Sequence, residues 1–414
     1  MTLIRTGILN GIAVVIKMLT MLGINKLLAV YVGPAGYAAI GQFQNAVQMI
    51  TTFASGAINT GVTKYTAEFH ADEIQQRKVW QTAGTIVLIS SIITALIIAL
   101  FNRKLAFWFL KNETYGGVFL WFSATLIFFV FNALLLAILN GKKEIGHYVI
   151  ANIAGSFFAF VITFWLASIW GLYGALVALA IFQSMAFLVT IFIFRQTTWF
   201  KFSYLFGEID RKIAKNLGQY TLMALTSAIC VPLSQIIIRN HLGTTISWAA
   251  AGYWEAMTRL STAYLMLITT TLGVYYLPRL SELRLVAELK HEIQNGYKVI
   301  LPVTIISSLS IYLLRDWIVA TLFTADFAPM RQLFAWQLVG DTLKIGSWIM
   351  SYLMLSKAMF KSFMITELFF SVSFVFLAIG LTHIYGLQGV VIAYAINYFL
   401  YWISVMTLLL RVVR

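Results

Sequence analysis

The sequence predicts an all-α integral membrane protein: twelve transmembrane helices in two six-helix lobes related by a parallel repeat. Three observations predict it. Charged residues make up 11% of the chain and hydrophobic residues 60%, whereas a water-soluble domain carries about 25% charged residues. Apolar runs recur along the whole chain at roughly 20 residues, the helical length that crosses about 30 Å of hydrocarbon. Residues 171–181, GLYGALVALAI, return at 386–396 as GLQGVVIAYAI, an offset of 215.

The elements follow in order. The opening MTLIRTGILNGIAVVIKMLTML lacks a small-residue cleavage site and stays apolar to Tyr31, so it reads as a retained first span and not as a signal peptide. Spans are expected at about 6–31, 37–68, 79–101, 116–140, 146–169, 174–195, 215–240, 249–275, 293–314, 329–355, 358–382 and 386–410. The second is longer than a bilayer needs and is expected to tilt or project. The outer segment from Leu105 matches the one from Trp317, each between the third and fourth helix of its half, and both are expected to lie along the outer interface. GVTKY at 61–65 sits where GVYYL sits at 273–277. The halves are therefore residues 1–195 and 215–414, joined by a cytoplasmic linker at 196–214. Six spans is an even number, so both halves enter the membrane in the same direction, and in transporters built this way the site lies between the halves near mid-depth.

The net charge of +14 has a topological explanation before a nucleic-acid one, because cytoplasmic loops collect Lys and Arg. With the N-terminus inside, seventeen of the 29 Lys and Arg fall on the cytoplasmic side, among them Arg5, Arg77, Lys142, Arg211, Arg284, Arg411 and Arg414, and six fall outside. That bias puts both termini in the cytoplasm. Trp80, Trp170, Trp248 and Trp317 fall near expected interfaces, as aromatic anchors do. The single cysteine, Cys230, excludes an intrachain disulfide and a cysteine-based metal site. There is no HExxH, Walker loop or strand-linked GxGxxG. No loop is long enough to hold a soluble catalytic domain, so neither an enzyme nor a cofactor is expected.

Ionisable groups inside spans cost about 2.5–3.5 kcal/mol on insertion scales, so they face protein or a wet cavity. Here the cations are Lys17, Lys26, Lys64, Arg259, Lys298 and Lys344, with Arg239 at the end of its span, and the acids are Glu68, Glu255, Asp341 and Glu367. Lys26, Arg239 and Lys298 are close enough to helix ends to snorkel. Lys64 and Glu68, and Glu255 and Arg259, are four apart and suited to pair, and Asp341 and Lys344 are three apart. Glu367 has no partner on its own helix. Lys17 is mid-helix with no acid near it, where snorkelling explains least. Seven cations against four acids make a shared cavity electropositive and suited to an anionic substrate. Gln42, Asn45 and Gln48 step along one helix at i, i+3, i+6 and read either as helix glue or as a wetted wall suited to sugar hydroxyls. Pro232 and Gly23 fall near equivalent repeat positions where a bend would let the lobes alternate access.

GVTKY at 61–65, YTLMAL at 220–225, the Leu277–Pro278 pair and above all LFAWQLVGDTLK at 333–344 carry a resemblance over essentially the whole chain. The chain resembles the O-antigen and polysaccharide flippases of the multidrug/oligosaccharidyl-lipid/polysaccharide exporter superfamily, and within them the lipid III flippase branch of enterobacterial common antigen synthesis. The resemblance implies a V-shaped pair of six-helix lobes in the bacterial inner membrane. It implies an undecaprenyl-diphosphate-linked oligosaccharide as substrate, passed from cytoplasmic to periplasmic leaflet with its prenyl chain in lipid, and glycan polymerase machinery as a further partner. It does not settle energy coupling; antiport of H⁺ or Na⁺ is expected, with Glu255, Asp341 and Glu367 as candidate sites. Rival readings are a cation-coupled multidrug exporter of the same fold, which calls for an acidic cavity, and a peptidoglycan-precursor flippase, which resembles chains of fourteen spans.

Overall fold

The computed structural model describes residues 3–283, 285–357 and 359–412. Arg284 and Arg414 lie outside the described residues, as do the side chains of Arg5 and Arg411 and, within YTLMAL, those of Tyr220, Leu222 and Met223. Among the described residues there are fifteen α-helices and no strand. In the first half these are α1 (Leu3–Tyr31), α2 (Gly33–Ala54), α3 (Asn59–Glu68), α4 (Glu73–Leu100), α5 (Asn102–Leu110), α6 (Gly116–Gly141) and α7 (Ile145–Arg195). In the second half they are α8 (Arg211–Thr245), α9 (Trp248–Thr271), α10 (Leu277–Glu282), α11 (Val286–Leu313), α12 (Arg315–Leu322), α13 (Phe334–Ser356), α14 (Phe360–Tyr385) and α15 (Gln388–Val412). Eight stretches among the described residues are long and apolar enough to cross a membrane, against the twelve expected. The 51-residue α7 is one such stretch running through two expected spans. The amides of α2 and the Asp and Lys of α13 lower their hydropathy.

One expectation needs correcting. The span expected at 37–68 is not one long helix. It ends at Ala54 and restarts at Asn59, because Gly56 and Ala57 take φ of 59° and 53°, in the left-handed region. The Gly56 N–H returns to the Phe53 carbonyl (3.0 Å) and the Ala57 N–H to Thr52 (2.9 Å), the paired bonds that close a helix C-terminus around a left-handed residue. The spans expected at 146–169 and 174–195 both lie within α7, as two helices that meet at a kinked joint, Gly171, whose φ/ψ are non-helical.

That joint makes the internal repeat physical. Gly171 has φ 54°, ψ −128°, and Gly386, its counterpart, has φ 57°, ψ −138°, a region open in practice only to glycine. Three residues on, a Cβ on Gly174 would lie 1.9 Å from the Leu166 carbonyl oxygen, and one on Gly389 would lie 2.2 Å from that of Leu381. In GLYG and GLQG, then, the first glycine turns the chain and the second lets two backbones touch. GVTKY and GVYYL also share a property: the first follows the α2–α3 break, and the second lies at a π-helical turn, Leu272–Tyr276. The segments from Leu105 and Trp317 contain the short helices α5 and α12, which leave Trp108 and Trp317 about two-thirds exposed.

The chain forms two compact units: Met1–Thr20 with Gln42–Pro232, and Met21–Gly41 with Leu233–Arg414. In the first, α6 is the central helix. Its Phe119, Phe122, Leu126, Val130, Leu134 and Ile138 recur at three- and four-residue steps, and all are buried. Asn132 on α6 donates to Gln183 (2.9 Å) and accepts from Thr190 (2.7 Å) on α7, polar glue between apolar helices. The linker is strapped to this unit: Thr85 donates to the Gly207 carbonyl (3.0 Å), and the Asp210 N–H donates to Thr82 (3.2 Å). Lys142 lies over the Trp80 and Trp199 rings and donates to Gln76. In the second unit, Leu272, Tyr276 and Leu280 pack with Ile345, Ile349, Leu353 and Val405 of α13 and α15. Outward, Ile92, Leu96 and Leu100 of α4, Val299, Ile306 and Leu313 of α11, and Leu368, Val372 and Phe376 of α14 are exposed. Apolar faces this extensive belong in lipid.

Candidate transport site

The ionisable groups of the expected spans separate into three environments. In the second unit Glu255 and Arg259 are one turn apart on α9, and Arg239 comes from α8, seven residues after Pro232. Each Glu255 oxygen takes one guanidinium bond: Arg239 Nη2 to Oε2 at 2.7 Å and Arg259 Nε to Oε1 at 2.7 Å. Arg239 is 1% exposed, so it does not snorkel. Arg259 also lies over the Tyr37 ring and Arg239 over Trp254. Space for the triad comes from Gly41, where a Cβ would sit 2.3 Å from Glu255 Oε2. The triad carries one net positive charge. Because its charges are dry, each depends on the others: removing one partner from such a group costs about 3–5 kcal/mol.

The second environment surrounds Asp341, which is fully buried. Its sequence neighbour Lys344 makes no direct salt bridge with it among the described residues, although the two charges are electrostatic neighbours. Asp341 instead accepts from the Tyr264 hydroxyl (2.8 Å), the Tyr394 hydroxyl (3.0 Å) and Gln337 Nε2 (3.2 Å). Lys344 Nζ lies 4.8 Å from the Trp348 ring centre and 5.8 Å from that of Tyr398, with Asp341 and Glu367 as its electrostatic neighbours. The motif LFAWQLVGDTLK is legible in these terms. Leu333 and Phe334 anchor the helix start in the core. Gln337 reaches Asp341 one turn on, and Gly340 leaves room for the Tyr394 ring, which a Cβ there would meet at 2.3 Å. Tyr264, Tyr394 and Tyr398 were absent from the sequence-derived candidates. Only Gln337, one turn before Asp341, carried a local signal.

The remaining candidates are separate from these. Lys26 donates to the Phe323 carbonyl at 3.2 Å. Lys64 and Glu68 form an exposed pair at 3.8 Å. Lys17 and Lys298 are exposed, and neither has an ion-pair partner among the described residues. Gln42 and Asn45 are buried, Gln48 is exposed, and Asn45 donates to the Pro232 carbonyl at 3.5 Å.

Helices with lipid-facing exteriors and dry, compensated charges inside define a multi-span membrane protein of transporter type. More specifically, the chain belongs to the polysaccharide biosynthesis protein family, whose pattern matches residues 3–284. It is 30% identical over 403 residues to the lipid III flippase of Escherichia coli (strain K12), covering 97% of each chain, and equally so to that of Shigella flexneri. Its fold is that of the MATE transporters of the MOP superfamily. An inward-facing multidrug resistance transporter superimposes with a TM-score of 0.77 at 16% identity, covering 96% of this chain and 94% of the other. An outward-facing one gives 0.65 at 18% identity, covering 97% and 95%.

Proposed function

We propose that this protein is a flippase that moves a polyprenyl-diphosphate-linked oligosaccharide from the cytoplasmic to the periplasmic leaflet of a bacterial inner membrane by alternating access. The observation that carries this reading is the match to lipid III flippases along 97% of both chains. The charge chemistry supports it. Diphosphate is an anion, and the expected spans hold more cations than acids, three of which (Lys17, Lys298 and Lys344) are not committed to a carboxylate within salt-bridge distance. Lysine serves such a cargo as a mobile point charge. A multidrug exporter of cations calls for the opposite sign.

We propose twelve crossings with both termini cytoplasmic, counting α2 and α3 as one crossing, α9 and α10 as one, and α7 as two that meet at Gly171. Coupling to H⁺ or Na⁺ is assigned to Asp341. Of the three acid candidates, Glu255 is committed to two guanidinium groups and Glu367 is only half-buried. Asp341 is fully buried with neutral donors around it, so a proton or cation changes its charge balance most.

The test is ligand-induced stabilisation of the purified full-length protein. Polyprenyl-diphosphate oligosaccharide is expected to raise the melting temperature in a concentration-dependent way, and cationic dyes are expected to leave it unchanged. The reverse pattern would favour a drug exporter.

A further inference from the structure

The α2–α3 break encloses the feature that the charge-based account leaves unused. A cavity of about 110 Å³ opens there, lined by Thr51, Thr52, Ser55 and Asn59 on one side and by Phe129, Val130 and Ala133 of α6 on the other. Its volume is below that of whole-ligand pockets, which run roughly 300–1,000 Å³, so it suits one edge of a sugar ring and not a whole ligand.

The chemistry of the lining is specific. Thr51 donates its hydroxyl proton to the Val47 carbonyl (2.7 Å), Thr52 to Gln48 (2.8 Å) and Ser55 to Thr52 (3.0 Å). With their protons turned back onto α2, these hydroxyls offer lone pairs to the cavity. The pocket therefore asks for a hydrogen-bond donor. No charged side chain lines it, so it does not ask for a phosphate or an ammonium group. Phe129, ringed edge-on by Phe122 and Phe182, supplies the apolar wall against which the C–H face of a sugar packs. Along α2, Asn45, Gln48, Thr52 and Ser55 share one face at three- and four-residue steps, so a line of hydrogen-bonding groups leads to the cavity.

We propose that this cavity is a subsite for one neutral sugar residue of the cargo, recognised through its hydroxyl donors. The assignment rests on the flippase reading. It separates glycan recognition, on neutral groups in the first unit, from diphosphate recognition on lysines.

The experiment compares the full-length protein in lipid nanodiscs with Thr52→Val, which removes an acceptor, and Ala133→Leu, which fills the cavity from the opposite wall. The probes are a polyprenyl-diphosphate trisaccharide and polyprenyl diphosphate without sugar. Wild type is expected to prefer the sugar-bearing lipid. Thr52→Val is expected to lose about three- to tenfold in affinity for it, the worth of one hydrogen bond, and Ala133→Leu at least as much by excluding the sugar, with sugar-free binding unchanged in both. If one variant fails to fold, the other decides, since they act from opposite walls. Equal losses for both probes, or an intact preference, would overturn the proposal while leaving the flippase reading in place. So would a sodium response abolished by Thr52→Val with the sugar preference intact, which would make the cavity a cation site. Failure of wild type to bind either lipid would instead remove the flippase reading, and this proposal with it.

Discussion

The two units share an architectural repeat and differ in what they bury. The first buries amides and hydroxyls: Asn132, Thr190 and Gln76 join its helices, and its charged pair, Lys64–Glu68, is exposed. The second buries charge: the Arg239–Glu255–Arg259 triad and Asp341. The glycine pairs Gly171/Gly174 and Gly386/Gly389 do the same work in both. The backbone device is thus held in common while the polar cargo of the helices is divided. Neutral groups suit the sugars of a glycolipid, whereas buried charge stores energy that a proton or an anion can release.

The sharpest way to break this contrast is Glu255→Gln. It strands two buried guanidinium groups, and a loss of about 3–5 kcal/mol is expected, whereas Glu68→Gln in the exposed pair is expected to cost under about 1 kcal/mol. Thermal or denaturant unfolding of both variants measures the ratio, and equal effects would refute the contrast. Asp341→Asn comes next. The amide keeps one acceptor for the tyrosines, but its N–H groups now face hydroxyls that donate to a carboxylate in wild type and must turn to accept, at a cost of about 1–3 kcal/mol. Transport by this variant is expected to lose its response to an ion gradient. Gly171→Ala and Gly386→Ala test the shared device. Each places a Cβ at a left-handed φ, and each is expected to lose about 1–3 kcal/mol. A large effect in one and none in the other would show that the repeat is not maintained by the same backbone requirement.

The smallest effect is expected at Asp210, outside the membrane spans. Its carboxylate accepts from the N–H groups of Ile213 (3.1 Å) and Lys212 (2.9 Å), capping α8. The Ile213 N–H, with help from that of Lys212 and from the Lys78 and Lys212 charges, holds its pKa below the usual 3.8. A depressed carboxylate pKa stabilises the fold above the unfolded value and loses that contribution as pH falls through the folded one. Asp210→Ala is therefore expected to be destabilised relative to wild type at neutral pH, with the difference shrinking below pH 3.8. A difference independent of pH would mean that the cap does not act through its charge.

The legibility of this molecule followed the range of its interactions. Glu255 and Arg259, four apart, showed in the sequence as a pair, but Arg239 did not, because α8 brings it in from another helix. Asp341 and Lys344 looked like a pair by spacing, but Tyr264 and Tyr394, 77 and 53 residues away, supply the hydroxyls that hold the acid. The repeat was legible because glycine positions are dictated by backbone geometry. The α2 break was hidden because Ser55, Gly56 and Ala57 are small residues that a membrane helix tolerates, and only the left-handed φ at two of them separates α2 from α3.

The most direct measurement is leaflet transfer in proteoliposomes, using a labelled polyprenyl-diphosphate oligosaccharide with and without an imposed proton or sodium gradient, for wild type and Asp341→Asn. The account predicts protein-dependent transfer by wild type that a gradient accelerates, and transfer by Asp341→Asn that ignores the gradient. No transfer by wild type, alongside gradient-driven efflux of a cationic dye from the same vesicles, would contradict it.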